Sequence, residues 1–223
     1  MKPERTPRVK ICCIASIDEA ALAIECGASA LGLVSHMPSG PGVISDDQIA
    51  EIAATVPPAI GTFLLTSRQR VIDIVEQQHF CGTNTIQICD HLTAGTHCDL
   101  KDALPGISVV QVVHVTGPES IEEAARVAPH VDAILLDSGN QKVAVKELGG
   151  TGRTHDWTLS RAIRERIGIP LFLAGGLTPE NVGQAIEDVG PFGLDVCSGV
   201  RTDGRLDAAK LRRFFSAVRS AGA

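Results

Sequence analysis

Leu171-Phe172-Leu173-Ala174-Gly175-Gly176-Leu177-Thr178-Pro179-Glu180-Asn181-Val182-Gly183-Gln184-Ala185-Ile186-Glu187-Asp188 contains an apolar run, a glycine pair and an amphipathic segment in succession. Residues 171–174 predict a buried strand, and the glycines a tight turn. Thr178 as cap and Pro179 at the first helical position open a helix over 178–188. The same unit recurs in both directions. Strand-like runs at 9–14, 30–34, 60–65 and 85–89 are followed by helical patterns at 16–26, 45–55 and 67–78 and by a vaguer stretch, 93–104, that holds a short helix. The runs 108–113, 133–137 and 193–197 lead likewise to helices at 118–128, 158–167 and 207–221.

Eight units in 223 residues leave about 28 residues apiece. Strands that alternate with helices pair in parallel, and eight such units close into a (β/α)8 TIM barrel. A doubly wound open sheet is the competing arrangement. No linker or shift of composition divides the chain, so residues 1–223 are expected to form a single barrel domain.

Composition excludes several classes of function. Hydrophobic residues make up 44% and charged residues 21%, which suits a packed globular domain rather than a disordered one. With 20 Lys+Arg against 26 Asp+Glu, the net charge is −6 and there is no basic run, so a nucleic-acid partner is not expected. No apolar stretch reaches the length of a membrane span. The segment Met1-Lys2-Pro3-Glu4-Arg5-Thr6-Pro7-Arg8 is charged and broken by proline, unlike a signal peptide, and the expected location is cytoplasmic. Seven cysteines, at 12, 13, 26, 81, 89, 98 and 197, form no CxxC pair and are odd in number, so reduced thiols are expected.

Active sites of such barrels lie just beyond the C-terminal ends of the strands. Two of those positions share one chemistry. Gly175-Gly176 after strand 7 and Cys197-Ser198-Gly199-Val200 after strand 8 let backbone N–H groups approach an anion, at the loops where barrels commonly hold phosphate. Read alone, each is a tight turn that needs positive φ. Occurrence in adjacent units favours phosphate. The loop Leu148-Gly149-Gly150-Thr151-Gly152-Arg153-Thr154-His155-Asp156-Trp157 is rich enough in glycine to close over a ligand, or else is a plain surface connector.

Lys10-Ile11-Cys12, Asp18-Glu19-Ala20 with Gly27-Ala28, Gly149 to Thr154 before Asp156-Trp157, Leu173 to Leu177 with Pro179-Glu180-Asn181, and Asp195 before Ser198-Gly199-Val200 are in the order and spacing of one family. Over nearly its whole length the chain resembles the phosphoribosylanthranilate isomerases of tryptophan biosynthesis, which are (β/α)8 barrels. The resemblance implies a cofactor-free Amadori rearrangement of a phosphorylated aminoaldose to an aminoketose. It implies Cys12 as general base and Asp137, closing strand 6, as general acid. It implies phosphate and substrate contacts from Gly150, Thr151, Gly152, Gly175, Gly176, Asp195, Ser198 and Gly199. Monomer and homodimer are both compatible with the sequence.

Departures from the pattern fall on the half of the site that would face the amine. The family has an Arg in a Ser-Pro-Arg run after strand 2, whereas Ser35-His36-Met37-Pro38-Ser39-Gly40-Pro41-Gly42-Val43 has neither Arg nor Lys. His36 is the candidate substitute there, and Arg153 a second one. Gln87-Ile88-Cys89-Asp90 replaces Gln-Leu-His-Gly, Phe63-Leu64-Leu65-Thr66 stands for Phe-Val-Asn, and Cys13 follows Cys12 where the family has Gly. A paralogue acting on another amine-substituted ribose phosphate is therefore the alternative, along with a sugar-phosphate-binding barrel lacking activity. His114, past strand 5, is a further candidate for ligand contact. Cys89, His91, His97 and Cys98 form a set that zinc could accept, but their spacing fits no standard zinc motif, and no metal site is expected.

Overall fold

The computed structural model describes residues 6–139, 148, 152 and 154–221. Eight parallel strands, β1 (Arg8–Ile11), β2 (Ala30–Val34), β3 (Gly61–Thr66), β4 (Thr85–Ile88), β5 (Ser108–His114), β6 (Ala133–Asp137), β7 (Leu171–Leu173) and β8 (Gly193–Val196), close on one another in sequence order. The barrel is closed, which excludes the open doubly wound sheet. Helices α1 (Ile17–Cys26), α2 (Asp46–Thr55), α3 (Val71–Cys81), α4 (His97–Ala103), α5 (Glu119–Val127), α6 (Trp157–Arg166), α7 (Val182–Val189) and α8 (Ala208–Ala221) follow the strands in turn. Among the described residues, no helix is long and apolar enough to cross a membrane.

Strand side chains alternate between two separate cores, as the period of two demands. Ile11, Leu31, Leu33, Leu64, Ile86 and Leu194 pack outward against the helices. Val34, Phe63, Val110, Leu135 and Phe172 fill the barrel interior. Phe172 stacks edge-on against Phe63 at 5.9 Å and against Phe192 at 5.6 Å. A Cβ on Gly193 would meet the Phe172 ring at 2.5 Å, so glycine is what makes room for this aromatic group.

One charged pair lies inside. Lys10 and Asp195 are in register across the β1–β8 seam, and Lys10 Nζ donates to Asp195 Oδ1 at 2.9 Å. Lys10 has no exposed surface, and its ammonium stands 5.3 Å above the Phe63 ring centroid. Burial alone would lower the lysine pKa. The Asp195 charge and hydrogen bond outweigh it and hold the ammonium charged.

Local hydrogen bonding moves several element ends from their expected positions. β1 stops at Ile11 instead of continuing to 14, because Cys13 takes a left-handed φ of 62°. α3 starts at Val71, not 67, since the Gln69 carbonyl accepts from Thr93 N and Val71 N donates to Ala94 O. α7 starts at Val182, not 178. Residues 178–180 form a turn that Asn181 closes, accepting from Thr178 N at 2.8 Å and donating to Gly176 O at 2.9 Å. A hairpin of β9 (Arg201–Thr202) and β10 (Arg205–Leu206), too short to show a period in sequence, interrupts the β8–α8 connection.

Removing one member of a buried ion pair strands the other charge, at a cost of about 3–5 kcal/mol. Lys10→Ala is therefore expected to lower the urea-unfolding free energy by that amount. Lys10→Ala combined with Asp195→Ala should cost less than the two single changes added together, which a double-mutant cycle reads directly.

Candidate active site

Above the Lys10–Asp195 pair the strand ends open into a cavity of about 670 Å³, part of it open to solvent. Cys12, Asp137, Asp195, Gly152, Gly175, Gly176 and Ser198 all line it. These residues come from opposite ends of the sequence, and only closure of the barrel brings them together.

Cys12 lies one residue past β1 and is buried, its N–H bonded to Val196 O at 2.9 Å. A Cβ on Gly32 would fall 2.9 Å from both Cys12 Sγ and Lys10 Nζ, so the bare glycine is where thiol and ammonium come together. The backbone here is clamped from outside. Arg201 donates to the carbonyls of Cys12 and Cys13, and Glu19 accepts from both Arg201 terminal nitrogens at 2.9 and 3.0 Å.

Asp137 ends β6 and is buried. Desolvation pushes its carboxyl pKa up. The Ser138 N–H, which donates to Oδ1 at 2.6 Å, and the nearby His114 oppose the rise without cancelling it. Asp195 reinforces it as a second negative charge. A carboxyl raised in this way can hold a proton to deliver. His114 is opposite Asp137 in the β5–β6 register; its Nε2 donates to the Cys89 carbonyl at 3.2 Å, and its Nδ1 is buried without a hydrogen-bond partner.

The turn after β7 has Gly175 at φ 86° and Gly176 at φ 62°, conformations that suit glycine. Beyond β8 a short 3-10 turn, Ser198–Val200, faces the same end of the cavity through Ser198. A Cβ on Gly152 would stand 3.5 Å from Ser198 Oγ, so Gly152 lies beside this turn. Gly199 does not line the cavity. A Cβ there would collide with the Leu177 carbonyl, so this glycine is required by the packing of one turn on the other.

His36 is exposed and outside the cavity lining, contrary to its expected role as a substrate contact. Its carbonyl accepts from Ser67 Oγ, and the following Met37, not His36, turns inward. Gly150, Thr151 and Arg153 lie outside the described residues. The cysteine–histidine set after β4 is dispersed: His97 bonds Gln111 Oε1 at 2.9 Å, and Cys89 is buried against the barrel interior. Among the described residues no group of three or more His, Cys, Asp or Glu side chains could hold a metal ion. Sequence reading assigned no role to Lys10, Gln87 or Met37. A lysine inside an apolar strand run was the available signal for the first. Gln87, whose Oε1 is buried without a partner, and Met37 carry no signal before the fold is known.

A closed parallel barrel with a carboxyl, a thiol and glycine turns around one mouth has the architecture of the TIM-barrel enzymes. Residues 9–217 match the family model of N-(5'-phosphoribosyl)anthranilate isomerase. The chain is 35% identical over 209 residues to N-(5'-phosphoribosyl)anthranilate isomerase 2 of Methanosarcina mazei, covering 93% of this chain and 92% of the relative. The crystal structure of the isomerase from Thermotoga maritima superimposes with a TM-score of 0.79 at 30% identity, over 96% and 99% of the two chains. A phosphoribosylanthranilate isomerase crystallised with reduced 1-(o-carboxyphenylamino)-1-deoxyribulose 5-phosphate gives 0.77 at 29%, with the same coverage. The chain belongs to the N-(5'-phosphoribosyl)anthranilate isomerase family, and its reaction is the Amadori isomerisation of tryptophan biosynthesis.

His155, which leads into α6, bonds Ser160 Oγ at 2.7 Å, and burial pushes its pKa from 6.5 down to about 4 against a smaller opposing effect of Asp156. The unfolded chain therefore binds the proton first. The stability due to neutral His155 is complete above pH 6.5 and is lost as pH falls to about 4, a difference of about 3 kcal/mol. Urea unfolding followed by Trp157, the single tryptophan, should show this loss, and His155→Gln should flatten it.

Proposed function

We propose that Cys12 and Asp137 are the base and acid of the rearrangement, and that the substrate phosphate is held by the glycine turns after β7 and β8. Asp137 protonates the ribose ring oxygen as the bond from that oxygen to C1 breaks, leaving an imine between C1 and the amine. Cys12, as thiolate, removes the proton from C2, and the resulting enolamine tautomerises to the ketone. Lys10, held charged by Asp195, places its ammonium close to the Cys12 sulfur. The observation that carries this reading is a carboxyl with a raised pKa and a thiol facing one cavity, with the buried Lys10 ammonium close to the thiol.

Gly175, Gly176 and Ser198 supply the anion contacts, with Gly152 closing from above and Asp195 facing the sugar. Gly150, Thr151 and Arg153 join them on the strength of the family motif alone. The amine's aromatic ring would pack on the apolar lining residues Met37, Pro41 and Leu65. No Arg or Lys lines the cavity among the described residues, which leaves Arg153 as the candidate partner for its carboxylate. The reduced cysteines and the small phosphorylated substrate suit the cytoplasm, where the enzyme works as monomer or homodimer.

Turnover is followed by loss of anthranilate-type fluorescence from freshly made phosphoribosylanthranilate, with kcat/KM expected at about 10⁴ M⁻¹s⁻¹ or above. Cys12→Ala and Asp137→Asn should each lower kcat by about 10²–10⁴-fold with little change in KM. An unchanged kcat in either variant moves that role to another residue. Gly176→Asp should instead raise KM, since a carboxylate would stand where the phosphate binds.

A further inference from the structure

Cys12 has two sulfur neighbours that the rearrangement does not use. Cys13 and Cys197 both line the rim of the cavity, and their sulfurs stand 2.8 Å apart although 184 positions separate them in sequence. A covalent sulfur pair stands at about 2.05 Å, so bonding needs a movement of less than about 1 Å. Cys13 reaches this place through its left-handed φ of 62°, a conformation that is strained for a residue with a Cβ. Strain of this kind persists where the surroundings enforce it. Here Arg201 enforces it by holding the Cys12 and Cys13 carbonyls while paired with Glu19.

The surroundings also make the two sulfurs unequal. The hydrogen bond shared with Cys13 lowers the Cys197 pKa; burial opposes this, and the charges of Arg201 and Lys10 add to it. Hydrogen bonding to Cys12 and to Cys197, together with burial, keeps the proton on Cys13. A partly buried thiol with a lowered pKa beside one that holds its proton is the arrangement of a reactive cysteine and its resolving partner.

We propose that Cys13 and Cys197 form a redox modification site, at which a hydroperoxide converts the two thiols into a disulfide across the β1–β8 seam. The Cys197 thiolate attacks one peroxide oxygen and the O–O bond breaks. The departing oxygen takes up a proton, leaving as water or an alcohol, and Cys197 becomes a sulfenic acid. Cys13 sulfur then attacks Cys197 sulfur, and the S–O bond breaks. Hydroxide leaves with the Cys13 proton as water. Two thiols are oxidised by two electrons and one O–O bond is reduced. The bond ties the backbone beside Cys12 to the turn carrying Ser198, and turnover falls until a dithiol reduces it.

The test treats the reduced full-length protein with one equivalent of hydrogen peroxide, blocks remaining thiols by alkylation, and maps cross-linked peptides by mass spectrometry alongside turnover. The expected result is a Cys13–Cys197 cross-link with loss of turnover that dithiothreitol restores. Cys13→Gly suits the left-handed backbone. It is expected to keep the turnover of the reduced enzyme, form no such cross-link and lose activity about tenfold more slowly under peroxide. Absence of the cross-link in the unaltered protein would overturn the proposal. So would inactivation of Cys13→Gly at the unaltered rate, because Cys12 would then be the thiol oxidised. The cross-link is read without substrate, so this result is independent of the roles given to Cys12 and Asp137.

Discussion

A lysine with no exposed surface must be compensated, and in this barrel the compensation is Asp195, 2.9 Å away on the strand that closes the ring. That requirement joins the first strand to the last. It fixes the register at the seam, since a slip of one residue would turn either charge into the apolar layer between strands and helices. Below the pair, Phe63 and Phe172 seal the barrel. Above it lie Cys12, Asp137 and the glycine turns, at a height set by the same register. The pair divides a dry floor from a reactive mouth and supplies the positive charge beside the thiol.

Burial disfavours the charged form of both neighbouring groups. Asp195 overcomes it at Lys10 and holds the ammonium charged, whereas Asp137, with a second carboxylate nearby and only partial compensation from Ser138 and His114, is pushed toward its protonated form. A carboxyl with a raised pKa and a cation that keeps its charge thus coexist within one small volume. The proposed roles of proton donor and proton acceptor rest on that contrast. The outer clamp of Glu19 and Arg201 holds the backbone that carries the thiol. Catalytic geometry is therefore supported from both faces of the sheet.

Relatives at 35% identity match this chain over nearly its full length, while the cavity is lined by Met37, Pro41 and Leu65 without a lining Arg or Lys among the described residues. On the proposed reading, the glycine turns and the pair Cys12 and Asp137 keep the family's residues. Divergence would then fall where apolar contact with an aromatic ring can be made by many side chains, and spare the positions where proton transfer demands particular chemistry.

The linear pattern determined the eight alternating units, their parallel pairing and the barrel, because periods of 2 and 3.6 are local consequences of strand and helix geometry. Barrel topology obliges residues after each strand to share one mouth, which is where Cys12, Asp137, Gly175, Gly176 and Ser198 lie; their roles are what the family resemblance implies. The ends of β1, α3 and α7 differ from the sequence pattern because a left-handed Cys13, a distant loop at 93–94 and the Asn181 side chain, respectively, set them, and none of these shows in hydrophobic periodicity. His36 and Gly199 were assigned to the site from loop position. The fold turns the first outward and presses the second against the Leu177 backbone, and both outcomes depend on how neighbouring loops pack. Only the tertiary structure could pair Lys10 with Asp195 or bring Cys13 beside Cys197, because closing the ring converts separations of 185 and 184 positions into contact.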